Sequence, residues 1–114
     1  MKKFITAEDI RKYANVSKDT AAIHINPDTA MDAGFERPIV HGMYLMGLAQ
    51  SFYLKAHPNQ WIMQYEMLFK QAILVDQEAR FQFEKQGNLV QVTISSREQE
   101  VIALGTFNVK EWYQ

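Results

Sequence analysis

Apolar positions recur along this chain in two rhythms. In the first half they fall three and four residues apart; in the second half they alternate. The first rhythm is helical and the second is strand-like. Thr6 can cap a first helix, with Asp9 at its third position and Ile5 and Ile10 placed to clamp its start. Ile10, Tyr13 and Ala14 share one face, and the pattern ends near Val16. Residues 17–25 carry no strong period and read as a loop. Asn26, Pro27 and Gly34 then mark the cap, first position and exit of a short helix. From Gly42 to Ala56 the apolar residues Tyr44, Leu45, Met46, Leu48, Ala49, Phe52, Tyr53 and Leu54 cover most of a helix surface. Such a helix is expected to be buried on most sides.

The alternating half supplies a cover. Trp61, Met63, Tyr65, Met67 and Phe69 alternate with more polar neighbours, as do Phe81 and Phe83, and Val90, Val92 and Ile94. Gly87-Asn88 marks a tight turn, a polar turn follows near Glu98–Glu100, and Val101–Val109 reads as the last strand. Helices first and strands second predict an α+β fold: a curved antiparallel sheet around one long central helix. The 114 residues suffice for one domain, 1–114, with no repeat or linker.

Composition narrows the classes. Twelve Lys and Arg against thirteen Asp and Glu leave a net charge of −1, without the basic footprint of a non-specific nucleic-acid binder. The absence of cysteine excludes disulfides, thiolate metal sites and a thiol nucleophile. Gly42–Ala49 is too short a stretch for a membrane span, and Lys2 and Lys3 precede no secretory apolar core. The expectation is a cytoplasmic domain with neither nucleic acid nor membrane as partner. A core this small also favours self-association.

Three features could carry chemistry. Asp19 and His24 pair a carboxylate with an imidazole, the usual means of activating water; loop residues of these types also occur with no such role. Pro38-Ile39-Val40-His41-Gly42-Met43 leads into the central helix. Gly42 there would let a ligand approach free N–H groups at the positive helix end, or serve only as a helix start. His24, His41 and His57 lack metal-binding spacing, so no metal is expected, and His57 reads as a surface residue beyond the helix. No nucleophile elbow, phosphate loop or dinucleotide fingerprint is present.

Taken in order, Tyr13–Leu48 (YANVSKDTAAIHINPDTAMDAGFERPIVHGMYLMGL) resembles the MaoC-like, (R)-specific enoyl-CoA hydratases, which have the hot-dog fold. Ser17, Asp19, Ile23, His24, Pro27, Ala30, Gly34, Phe35, Pro38, Ile39, His41, Gly42, Met43 and Leu48 fall in register with that family's motif. The resemblance implies reversible addition of water to a trans-2-enoyl thioester, giving the (R)-3-hydroxyacyl thioester. It implies no cofactor beyond the coenzyme A or acyl-carrier protein that bears the substrate. Asp19 and His24 would hold the water and exchange protons, and the Gly42 amide would polarise the thioester carbonyl. His41, Met43 and Tyr44 are expected to contact substrate. A homodimer or higher oligomer is implied, as hot-dog sheets usually pair edge to edge.

The chain also departs from the pattern. Ala21-Ala22 stand where the family has Asn-Pro, and Lys18 where Gly is common. Beyond Phe69, Ala72-Ile73 and Asp76-Gln77 replace Pro-Val and Gly-Asp. Only Met1–Ile5 precede the first helix, so the family's N-terminal strand is expected to be truncated or absent. Two other activities stay open: an acyl-thioester binding module or partner subunit with little turnover, and a hot-dog thioesterase.

Overall fold

A computed structural model describes residues 1–112; the last two positions of the expected domain lie outside the described residues. The elements are β1 (Lys2–Ile5), α1 (Ala7–Ser17), α2 (Ala22–Ile25), α3 (Pro27–Asp32), α4 (Gly42–Ala56), β2 (Gln60–Phe69), β3 (Gln77–Gln86), β4 (Leu89–Ser96) and β5 (Val101–Glu111). The strands form one antiparallel sheet in the order β1-β3-β4-β5-β2. The α+β architecture is thus the expected one, with α4 laid on one face of the sheet. Leu45, Ala49 and Tyr53 of α4 pack into a core with Phe81, Val90, Val92, Ile94 and Phe107. The Tyr53 ring meets Phe107 edge-on at 5.0 Å. The Tyr65 hydroxyl donates to the Met46 carbonyl at 2.9 Å, fastening β2 to the helix.

Local signals act as read at α1. The Thr6 hydroxyl accepts from the Asp9 N–H at 3.0 Å and the Asp9 carboxylate accepts from the Thr6 N–H at 3.1 Å, a complete capping box. Asn26 likewise caps α3 through the N–H groups of Asp28 and Thr29. Gly34, at φ +97°, turns the chain after α3.

Three expectations are corrected, and the N-terminal strand, expected truncated or absent, is of the truncated kind. The segment read as loop contains α2, a single turn whose first residues, Ala21 and Ala22, carry no capping signal. The N-terminal strand is present, though only four residues long. It pairs with β3 from Lys2 opposite Arg80 to Ile5 opposite Gln77, and Ile5 is fully buried. In β2 an irregularity between Ile62 and Gln64 reverses the alternation, so Trp61 and Met63 face solvent while Ile62, Tyr65 and Met67 face inward. A bulge of this kind shifts every later side chain to the other face. Finally, α4 buries one stripe rather than most of its surface: Met43, Gly47, Gln50 and Ser51 are exposed.

Candidate functional site

The site is assembled from three successive departures of the chain from regular structure. α1 ends at Ser17, and Lys18 takes the left-handed conformation, φ 68°. That is a helix exit for which glycine is best suited, because a Cβ costs energy there. Asp19 follows; its N–H donates to Ser17 Oγ at 3.2 Å, and its own carboxylate accepts from the Ala21 N–H at 3.4 Å. Its side chain is 54% exposed.

The turn of α2 then presents His24. His24 Nδ1–H donates to the Ile39 carbonyl at 2.8 Å, while the Ile39 N–H donates to the Ile23 carbonyl at 3.1 Å. The tautomer follows from the partner: a carbonyl only accepts, so Nδ1 bears the proton and the Nε2 lone pair is free. Val40 in turn donates to the Ile73 carbonyl at 2.9 Å, and Ile39 bridges Leu74. The segment before α4 is therefore pinned on both sides.

His41 caps the N-terminus of α4 in position but not in chemistry, since its side chain makes no capping bond. The first-turn N–H groups of a helix have no intrahelical acceptor, so the Gly42 amide is available at the positive end of the helix. A cleft of about 420 Å³ opens beside it, lined by His24, Gly42, Ile39, Leu45, Phe69 and Ile73 among others. Phe69 stands directly over Gly42: a Cβ built there would lie 3.0 Å from its ring.

The structure brings Asp19, His24 and His41 together, with one nitrogen or carboxylate oxygen from each inside a 4.8 Å span. Sequence spacing concealed this cluster. The two imidazoles stack with centroids 3.7 Å apart and planes 18° from parallel. Parallel rings send their in-plane lone pairs side by side instead of towards a common point, a poor arrangement for chelating one ion. A carboxylate oxygen and imidazole nitrogens gathered in this way suit proton exchange better.

The three residues expected to contact substrate sit otherwise. His41 is 2% exposed and its ring is enclosed by Tyr13 and His24, so it lies behind the site. Met43 is 65% exposed on the outward face of α4. Tyr44 packs edge-on against Tyr13 at 5.2 Å; burial pushes its hydroxyl pKa up, with the charge of Asp9 adding to the effect. Neither Met43 nor Tyr44 lines the cleft beside Gly42. Phe69, which does, was read from the sequence only as a strand residue. His57 lies at the far end of α4, stacked on Tyr53 at 4.1 Å, away from the cluster.

A family model described as MaoC like domain matches residues 2–105. The chain belongs to the MaoC-like domain family. Its fold agrees with solved members of that group. The (R)-hydratase from A. caviae superposes with a TM-score of 0.83 at 23% identity, covering 97% of this chain and 91% of that one. An R-hydratase from Pseudomonas aeruginosa in the unliganded form gives 0.90 at 16% identity, covering 100% and 79%. The MaoC-like domain described here is thus a hot-dog. Among curated proteins, the mitochondrial 3-hydroxyacyl-[acyl-carrier-protein] dehydratase of Arabidopsis thaliana is 29% identical over 76 residues, 67% of this chain and 46% of that protein. The (R)-specific enoyl-CoA hydratase of Aeromonas caviae is 40% identical over 48 residues, 42% of this chain and 36% of that protein. The matches span less than half the length of either curated relative. These relatives are hydratases and dehydratases, and this MaoC-like chain shares their family.

Proposed function

We propose that this MaoC-like domain is a hydro-lyase that adds water reversibly to trans-2-enoyl thioesters, giving (R)-3-hydroxyacyl thioesters. One observation carries the reading: Asp19 and His24 each bring a titratable atom into one cluster within 4.8 Å, and His24 and Gly42 both line the adjoining cleft. Water held between Asp19 and His24 loses a proton to this pair as its oxygen bonds to the β-carbon. The electron pair of the alkene moves to the α-carbon and onto the thioester oxygen. The Gly42 N–H, without an intrahelical acceptor at the helix terminus, is the donor assigned to that oxygen and stabilises the developing charge. The pair then returns a proton to the α-carbon, so every atom of the water is accounted for. The apolar side chains of Ile39, Leu45, Phe69 and Ile73 suit an acyl chain. No further cofactor takes part; coenzyme A or an acyl-carrier protein bears the substrate.

A second reading, an acyl-thioester binding subunit with weak turnover, is favoured by the uncapped α2 and the exposed Asp19 carboxylate. Crotonyl-CoA separates them. Loss of enoyl-thioester absorbance with wild-type protein, abolished in Asp19→Asn, supports the hydratase. Binding of crotonyl-CoA without turnover supports the subunit. Release of free thiol instead of hydration would indicate a thioesterase.

The unpaired β2 edge and the exposed apolar residues on it support assembly as a homodimer. Among the described residues, no helix is long and apolar enough to cross a membrane.

A further inference from the structure

His41 has a cost that packing alone does not explain. It is a buried polar side chain, 2% exposed, and its Nδ1 has no hydrogen-bond partner. Burying an unpaired nitrogen is unfavourable, and an apolar ring of similar size would avoid it. The residue also forgoes the capping bond that its place at the start of α4 invites. What its ring does instead is specific. Nε2–H donates to the main-chain carbonyl of Asp19 at 2.9 Å, across 22 residues of chain. One face lies 3.7 Å from His24, and Tyr13 meets the ring edge-on at 4.9 Å. The next residue is Gly42.

We propose that His41 is the positioning residue of the site: one buried imidazole fixes the backbone of Asp19 by a hydrogen bond, the ring of His24 by stacking, and both relative to the Gly42 amide. The proposal rests on the hydratase reading above for its catalytic consequence. Its geometry is independent of that reading. Ala21 gives α2 no side-chain cap, and His41 supplies a tie to the loop carrying Asp19 and His24 from outside that loop. The two ring nitrogens of the pair are set in opposite senses. His41 bears its proton on Nε2 and His24 on Nδ1, because each faces a carbonyl.

The two contributions can be removed separately. His41→Phe keeps a ring to stack on His24 and loses the donor to Asp19. His41→Gln keeps an N–H donor and loses the ring. With crotonyl-CoA, each variant is expected to lower kcat by about 10- to 100-fold, with KM within about threefold of wild type, the loss expected of a reacting group displaced by ~1 Å. A loss of thermal stability with unchanged kcat in both variants would overturn the proposal, because a merely structural role predicts that pattern. Nitrogen NMR of the imidazoles supplies a readout that does not depend on activity. Wild type should show His41 protonated on Nε2 with coupling to the Asp19 carbonyl, and His24 protonated on Nδ1 with ring protons shifted upfield by the stack. The upfield shift should vanish in His41→Gln and persist in His41→Phe. Absence of the coupling and of the shift in wild type would overturn the proposal even if no variant folds. Wild type that shows both signals but no turnover would sink the hydratase reading and leave the positioning geometry standing.

Discussion

At Gly42 the backbone must meet two demands in the same volume. In the proposed hydratase its amide must stay open to a substrate carbonyl, while its α-carbon lies under the Phe69 ring. A methyl group at that point would sit 3.0 Å from the ring, closer than van der Waals contact allows. Phe69 is 40% exposed and can turn away, so the strain need not unfold the protein. Alanine is also a better helix former than glycine by about 1 kcal/mol, which offsets part of the crowding. Gly42→Ala should therefore leave the melting temperature within a few degrees while lowering kcat/KM for crotonyl-CoA by about tenfold or more, since the displaced ring and the methyl group both crowd the carbonyl donor. Steady-state kinetics beside thermal denaturation would check this; unchanged kcat/KM would mean that the carbonyl lies elsewhere. Asp19, His24 and Gly42 could all be picked out in the sequence as reactive types at a helix start and in a loop. What His41 does could not. Its partners are 22 and 17 residues away, and only the tertiary fold brings a buried ring between them.

Two short elements hold this site, and they differ in how they begin. α1 starts with the reciprocal bonds of Thr6 and Asp9. Hydrogen bonding from the Thr6 N–H lowers the Asp9 pKa from 3.8; partial burial opposes this, while the Thr6 hydroxyl and Lys3 assist it. A carboxylate with a depressed folded pKa contributes stability that is fully present above its unfolded value and is lost as pH falls through the folded value. Asp9→Asn should therefore destabilise the protein at neutral pH, by on the order of 0.5–1 kcal/mol. The gap from wild type should close as pH drops below about 4. Urea denaturation at several pH values would read this, and a gap that widened in acid would contradict it. α2 begins with nothing comparable. Ala21 occupies its cap, at φ −54° and ψ 135°, and Ala22 its first helical position. These are the places where Asn and Pro are favoured, and the extended Ala21 backbone is the conformation a following proline requires. The double change Ala21→Asn with Ala22→Pro should raise stability by about 1 kcal/mol. It should also raise kcat, by ordering the turn that carries His24. A Pro that lowered both would show that the turn is distorted in the active protein. The same comparison explains why α1 and α3 were legible and α2 was not. Their caps are written in Thr6 and Asn26, whereas Ala21 and Ala22 offer no side chain that would announce α2.

The molecule measures 52 × 29 × 20 Å with a radius of gyration of 15.0 Å, against about 13 Å for a compact chain of this length. The excess comes from a single-layer sheet covered on one face by one helix. Alternation in the sequence identified four strands. It could not identify the edge, because strand order departs from chain order and leaves β2 outermost. A ten-residue edge with free backbone groups on one side is an invitation to pair. The bulge at Ile62–Gln64 blunts only its first part, and the register from Gln64 to Phe69 is regular. Leu68 is 63% exposed and Met63 57% exposed on that strand, while Met43 of α4 is exposed near by in sequence to the Gly42 site. Pairing β2 with its own copy would extend the sheet and cover its free backbone groups. Because such a contact is two-fold, a charge placed on the strand would confront its own copy across the axis, and like charges facing one another are unfavourable. Sedimentation should give about twice the 13.3 kDa chain mass for wild type and the single-chain mass for Met63→Lys with Leu68→Lys, with an unchanged circular dichroism spectrum. A variant that still sediments as wild type would move the interface off β2. A wild type of single-chain mass would instead mean that the slab is stable alone and that the β2 edge stays unpaired.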